Sequence, residues 1–221
     1  MNPSAYIPNQ VRNDSAGLSA QNVRLICFGL QRSGTTWIWQ VCGDALGDGV
    51  IKTHEWLDLQ VPVLSVYRDP RDCVISHWRF RHPDEVERLG VIPRERLYWI
   101  AGRYLNTLWR MQQYQETHLP LHLRYETAIE KPQQIFSLLS ALTGWEVTPQ
   151  RQAEILAARH IDRNREICAA LQPGESRDVL EPGHVHEGQP GTWRRFVDPA
   201  SSDLLNRLLQ PWLERLNYAD K

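Results

Sequence analysis

Val23–Trp37 reads VRLICFGLQRSGTTW. Its first seven residues are a largely apolar run ending at Gly29, and from Thr35 to Leu46 the residues Ile38, Val41, Cys42 and Ala45 recur at helical spacing. Strand, tight loop and helix thus follow one another. In that arrangement loop amides and the positive end of the helix dipole can converge on one anion. Outward from it, Gly49–His54 and Val63–Tyr67 predict a second and a third strand, nearly all apolar as in strands covered on both faces. Asp69 suits the cap of a following helix and Pro70 its first position, where no backbone donor is needed. Leu97, Ile100, Ala101, Tyr104, Leu105, Leu108 and Met111 outline a long amphipathic helix, and Pro120–Arg124 a fourth, shorter strand. A helix over 132–143 stops at Gly144, and Leu204–Leu216 closes the chain as a last helix. The alternation predicts an α/β fold of three layers, with a central, mainly parallel sheet of about four to five strands and a P-loop-like phosphate-binding loop. Pro182–Pro199, with three glycines and three prolines, predicts a lid or binding loop without an element of its own.

The chain has 221 residues, 42% apolar and 23% charged, which predicts one domain over 23–221 preceded by a flexible polar leader over 1–22. A net charge of -1 argues against binding nucleic acid or an anionic membrane by bulk charge. Any anion must be held by a local site. The basic residues are 22 Arg and 3 Lys, and arginine grips oxyanions through a planar fork. Cys27, Cys42, Cys73 and Cys168 have no CxxC spacing, so neither a zinc site nor a disulfide framework is expected. With no apolar run of the ~20 residues a membrane helix needs and no signal-peptide pattern, the expected location is the cytoplasm. A monomer or a homodimer is expected.

The loop resembles G-x-x-x-x-G-K-[ST], but Thr35 stands at the lysine position. The third strand also ends in Tyr67-Arg68-Asp69 with no clear metal-holding aspartate, which argues against phosphoryl transfer from a nucleoside triphosphate. A P-loop nucleotide or small-molecule kinase and a non-catalytic adenylate-binding protein stay open as alternatives. Lys52 and His54 are two apart on the second strand, so their side chains leave one face and can meet at one site. A histidine there can accept a proton near neutral pH, and a lysine can bind negative charge.

Four segments in order resemble the sulfotransferases that use 3′-phosphoadenylyl sulfate (PAPS). Arg32-Ser33-Gly34-Thr35-Thr36-Trp37 is similar to their 5′-phosphosulfate loop, Lys52-Thr53-His54 to the KTH of the cytosolic branch, Tyr67 through Ser76 to the 3′-phosphate motif, and Arg124-Tyr125-Glu126 to a later R-Y-E segment. The resemblance implies a metal-independent transfer of the sulfuryl group to a hydroxyl or amine of a small-molecule or carbohydrate acceptor. It implies His54 as general base, Lys52 and Arg32 on the developing charge, and Ser33, Gly34, Thr35 and Thr36 as donors to the 5′-phosphate. It further implies Trp37 against the adenine, Arg68 and Ser76 on the 3′-phosphate, and Tyr125 on the adenosine half. Arg71 is expected as a surface or cap-region charge. Trp78, Phe80, Tyr98, Trp99 and Trp109 fall where the family forms part of its acceptor pocket.

The late R-K-G-x-x-G-D-W-K segment of the family aligns with His186-Glu187-Gly188-Gln189-Pro190-Gly191-Thr192-Trp193-Arg194, so its basic pair is His-Glu here. Gly188 keeps the family's glycine. Either Arg194 and Arg195 supply the missing charge or the 3′-phosphate is held more weakly.

Overall fold

The computed structural model describes residues 19–219 other than 56, 58, 178 and 179. Four strands, β1 (Leu25–Gly29), β2 (Val50–Thr53), β3 (Val63–Tyr67) and β4 (Leu121–Arg124), form a parallel sheet in the order β2-β1-β3-β4. The register aligns their carboxyl ends: Phe28 lies opposite Thr53 and Ser65, and Tyr67 opposite Arg124. The residues just past those ends, Leu30, His54, Arg68 and Tyr125, are therefore delivered to one edge of the sheet, at the point where the connections leave β1 in opposite directions.

Between and after the strands run α1 (Thr35–Leu46), α2 (Pro70–Arg81), α3 (Pro83–Leu89), α4 (Arg94–His118), α5 (Tyr125–Glu130), α6 (Gln133–Thr143), α7 (Pro149–Ala158), α8 (Ile161–Ala170) and α9 (Pro199–Arg215). Alternation along β1 sends Leu25 and Cys27 into a core with α1, α6 and α7, and Ile26 and Phe28 into a second core with α2, α4 and α9. That makes the three layers. Each fully buried Leu or Ile contributes about 1.5–3 kcal/mol of transfer free energy. All four cysteines are buried and unpaired. No helix among the described residues is long and apolar enough to cross a membrane.

Several expectations change. Helices α3, α5, α7 and α8 were not anticipated, and residues 182–199 are not featureless: a 3-10 turn covers Thr192–Phe196, and Pro199 opens α9. The leader expected over 1–22 lies outside the described residues up to residue 18, while the amides of Asn22 and Val23 both donate to the Ser19 carbonyl in a turn. Of the two places expected for Arg71, surface or cap region, it takes the second: it pairs with the N-cap residue Asp69 and is buried. It is 2% exposed, forks onto the Asp69 carboxylate (Nε to Oδ1 2.9 Å, Nη2 to Oδ2 2.7 Å), donates to Asn206 Oδ1 and the Tyr218 carbonyl at 3.0 Å each, and stacks on Trp193. This clasp ties the start of α2 to α9 and the chain's last described turn. Asp69 caps α2 as expected, accepting from the Arg71 amide at 2.9 Å.

Candidate active site

The loop between β1 and α1 is shaped by two consecutive demands for left-handed backbone, Arg32 at φ 68° and Gly34 at φ 87° with Ser33 between them. Gly34 is required twice over, because a Cβ there would lie 2.3 Å from Cδ2 of Tyr125. Ser33 turns inward: its Oγ is 2.8 Å from both the Leu30 carbonyl and Thr35 Oγ1 and 3.3 Å from the Val66 carbonyl, its amide donates to Leu30, and it is fully buried. With both groups spent on the loop's own frame, Ser33 is not on the cavity wall as expected. Gly34, Thr35, Thr36 and Trp37 are.

These last four border a cavity of about 340 Å³, closed by Lys52 and His54, by the inner face of α2, by Tyr125 and by residues 184–189. Lys52 Nζ donates to Thr36 Oγ1 at 3.1 Å. His54 Nδ1 is 2.7 Å from the Gly29 carbonyl, which can only accept, so Nδ1 carries the hydrogen and the neutral ring keeps its lone pair on Nε2. The sequence pairing of Lys52 and His54 is met: both face one cavity.

Four arginines line the wall, of which Arg81 lies over Phe80 at 5.0 Å. Arg32 stacks on Phe80, donates from Nε to Ser76 Oγ at 3.1 Å and from Nη2 to the His184 carbonyl; burial depresses its pKa to about 10, which leaves it charged at neutral pH. Arg68 lies over the Tyr125 ring at 4.8 Å, pairs with Asp72 at 3.5 Å and donates to the Gln189 carbonyl at 3.0 Å. Burial works against its charge, but Asp72 first, then Tyr125, Cys73 and Glu126, together outweigh that and hold its pKa above the ordinary value. Arg79 forks onto Glu187 at 3.1 and 3.3 Å. Arg68 and Ser76 both reach the cavity as expected, but Ser76 pairs with Arg32.

Tyr125, at the start of α5, is the hinge of the wall. Its ring meets Gly34 and Arg68, Trp37 stands edge-on to it at 6.2 Å, and its hydroxyl donates to the Gly188 carbonyl at 3.0 Å. The φ of 68° at Gly188 favours glycine, and a Cβ there would also lie 3.0 Å from the Tyr125 hydroxyl. The carbonyls of His186 and Glu187 accept from Arg165, and Asp72 accepts the amides of Gly191 and Trp193 at 2.8 and 2.9 Å. Burial pushes Asp72 up, opposed by Arg68 and those amides. His184 and His186 are held neutral, at about 2 and about 4, by burial first and then by the surrounding cations, chiefly Arg32 and Arg79 respectively.

Arg194 and Arg195 do not reach the cavity. Arg194 lies over the Trp193 ring at 4.6 Å, and Arg195 pairs outward with Glu187 at 2.7 Å. Of the aromatic residues expected around an acceptor, Phe80 lines the cavity, Trp78 is core, and Tyr98, Trp99 and Trp109 are exposed on α4. Arg79 and Asp72 were missed, although both share a helical face with Ser76 at intervals of three and four residues.

The parallel sheet, the loop between β1 and α1 and a strap of residues 184–189 over the sheet's carboxyl edge make up a fold shared with solved sulfotransferases. A mouse sulfotransferase, SULT7A1, solved with PAP, superposes with a TM-score of 0.68 at 13% identity, covering 91% of this chain and 87% of that one. Retinol dehydratase in complex with androsterone and the inactive cofactor PAP gives a TM-score of 0.62 at 14% identity over 86% of this chain and 80% of that one. The same enzyme with retinol and PAP gives 0.57 at 14% identity, over 86% and 81%. No protein-family model and no curated protein matches the sequence.

Proposed function

We propose that the chain is a sulfotransferase that moves the sulfuryl group of PAPS onto a hydroxyl or amine of a small-molecule or carbohydrate acceptor. The observation that carries this reading is the convergence of His54 and Lys52 with Arg32, Arg68 and Ser76 around one cavity at the carboxyl edge of the sheet. The residues fit a nucleotide phosphorylated at two ends. Four donors on cavity-lining residues, Trp37 Nε1, Arg68 Nε, Arg79 Nε and Trp193 Nε1, are buried with no acceptor among the described residues. PAP in the similar solved structures supports the same ligand class, and bound androsterone and retinol in two of them support a small acceptor.

The donor supplies a sulfuryl group, which passes to the acceptor atom as the S–O bond to its 5′-phosphate breaks. His54 takes the acceptor proton at Nε2, its ring fixed by the Nδ1–H bond to Gly29. Lys52 and Arg32 neutralise the leaving 5′-phosphate; Arg32 cannot act as an acid, so its part is electrostatic. The amides of Gly34, Thr35 and Thr36 and the dipole of α1 cradle the same phosphate. Trp37 and Tyr125 bound the adenosine half, and Arg68 with Ser76 meets the 3′-phosphate. Aromatic and arginine groups on Phe80, Arg32 and Arg81 leave the acceptor end apolar with a basic rim.

Thermal unfolding with 3′,5′-adenosine bisphosphate, 5′-AMP and ATP tests the reading. The bisphosphate is expected to raise the midpoint most; equal shifts from all three would refute it. Transfer of sulfur-35 from labelled PAPS to an acceptor panel then identifies the acceptor.

A further inference from the structure

The charge balance at the 3′-phosphate position does not close with Arg68 and Ser76. A phosphate monoester carries about -1.5 to -2 near neutral pH. Arg68 is already offset by Asp72, 3.5 Å away and almost fully buried, and Asp72 is itself committed to the amides of Gly191 and Trp193. Ser76 brings a hydroxyl and no charge of its own, and Arg32, which donates to it at 3.1 Å, is taken up by the 5′-phosphate in this reading. The segment over this wall contributes Glu187 and a neutral His186. A dianion set against a neutral pair and a hydroxyl would be poorly compensated, and unpaired charge is costly in a buried site.

Two further arginines of α2 line the cavity: Arg81 is exposed and lies over Phe80, whereas Arg79 shares the face of Asp72 and Ser76. Asp72, Ser76 and Arg79 occupy one face of α2, at successive spacings of four and three residues, and all three line the cavity. The Arg79 side chain is 14% exposed, packs over the Phe196 ring at 4.4 Å, and has a buried Nε without an acceptor among the described residues. Its fork is occupied by the Glu187 carboxylate. Glu187 in turn has a second cation, Arg195, which is 61% exposed and pairs with it at 2.7 Å. If Glu187 let go of Arg79 it would keep a counter-ion at the surface.

We infer that Arg79 is a specificity-determining ligand of the donor's 3′-phosphate, and that Glu187 is its internal counter-anion, exchanged for that phosphate when the nucleotide binds. The inference rests on the reading of the cavity as a PAPS site. The fork geometry that grips a carboxylate grips a phosphate equally well, so the exchange needs no new side-chain shape. The cation that the strap lacks at 186–187 is supplied by α2.

Isothermal titration of 3′,5′-adenosine bisphosphate and of 5′-AMP tests this, with unfolding midpoints recorded without nucleotide. Arg79→Gln is expected to weaken the bisphosphate about tenfold or more while leaving 5′-AMP within about twofold, so the preference for a 3′-phosphate falls. Arg79→Lys, which keeps the charge, is expected to retain most of that preference. Glu187→Gln is expected to tighten the bisphosphate about threefold to fivefold, and to do nothing in the Arg79→Gln background. Opposite signs for the two partners are the signature, because the halves of a purely structural latch would shift binding in the same direction. Weakening by both substitutions, or an equal loss for both nucleotides in Arg79→Gln, would overturn the inference and leave the PAPS reading standing. A wild-type protein that does not distinguish the two nucleotides would overturn that reading and this inference with it.

Discussion

Replacing Arg71 by alanine should destabilise the fold by about 3–5 kcal/mol, the range for removing one partner of a buried ion pair. The side chain is 3% exposed, and its loss leaves the Asp69 side chain, 8% exposed, without its forked partner. Asn206 Oδ1 and the Tyr218 carbonyl also lose a donor, and Trp193 loses the guanidinium on its face. For a chain of this size about 1 kcal/mol moves the unfolding midpoint by about 2–4 °C, so the expected drop is roughly 6 to 20 °C. Lysine at the same position should recover only part of it, since one ammonium can satisfy the charge of Asp69 but not the fork and two further acceptors together. Urea unfolding followed by circular dichroism, read as a change in midpoint at constant slope, measures the loss. Arg71 does not line the cavity, so at low temperature the folded variant should bind 3′,5′-adenosine bisphosphate within about threefold of wild type. An unfolding free energy within about 1 kcal/mol of wild type would refute the clasp, and a selective loss of nucleotide affinity in a stable variant would show that Arg71 serves the site instead.

Three further outcomes are expected. His54→Asn, whose amide can still donate to the Gly29 carbonyl, should lower turnover by about 10²–10⁴-fold with donor affinity nearly unchanged; full turnover by rapid-quench assay would remove His54 as the base. Gly34→Ala sets a Cβ 2.3 Å from the Tyr125 ring at φ 87°, so bisphosphate binding should be lost and stability reduced by about 1–2 kcal/mol or more, and calorimetry showing wild-type affinity would contradict the loop's packing. His77, His184 and His186 are held neutral, at about 4, 2 and 4, mainly by burial, so between pH 6.5 and about 4 the unfolded chain binds more protons than the folded one. Their contribution is full above pH 6.5 and shrinks as pH falls, by up to about 1.4 kcal/mol per pH unit for each; denaturation at pH 7 and pH 5 showing equal stability would count against it.

The half of the fold that carries the loop between β1 and α1 was legible because its signals are local. Parallel strands buried on both faces read as apolar runs, and Val63–Tyr67 and Thr35–Leu46 match the observed β3 and α1 residue for residue. Helices α7 and α8 left no such trace: each buries only one or two residues, so neither has an apolar stripe for periodicity to detect. The 3-10 turn at Thr192–Phe196 is too short for any period. At the site, the motifs located Lys52, His54, Arg68 and Tyr125 on one cavity because each lies at or just past the carboxyl end of a strand. A motif does not say which of its side chains faces the ligand, so Ser33, spent inside the loop, was indistinguishable from Thr36. The Arg79–Glu187 and Arg71–Tyr218 pairings join residues 108 and 147 positions apart and exist only after folding.

Tyr125 touches the anion loop through Gly34 and the strap through Gly188, with Arg68 on its face. Two segments more than 150 residues apart in the chain thereby share one rigid spacer, and neither can open without exposing that ring. They should exchange backbone hydrogens as a single cooperative unit, with the amides near Gly34 and near Gly191 gaining protection together whichever of the two a ligand touches. Occupancy of the loop would then register as added order in residues 184–191, carried by the Tyr125 phenol and by the bond from Arg32 to the His184 carbonyl.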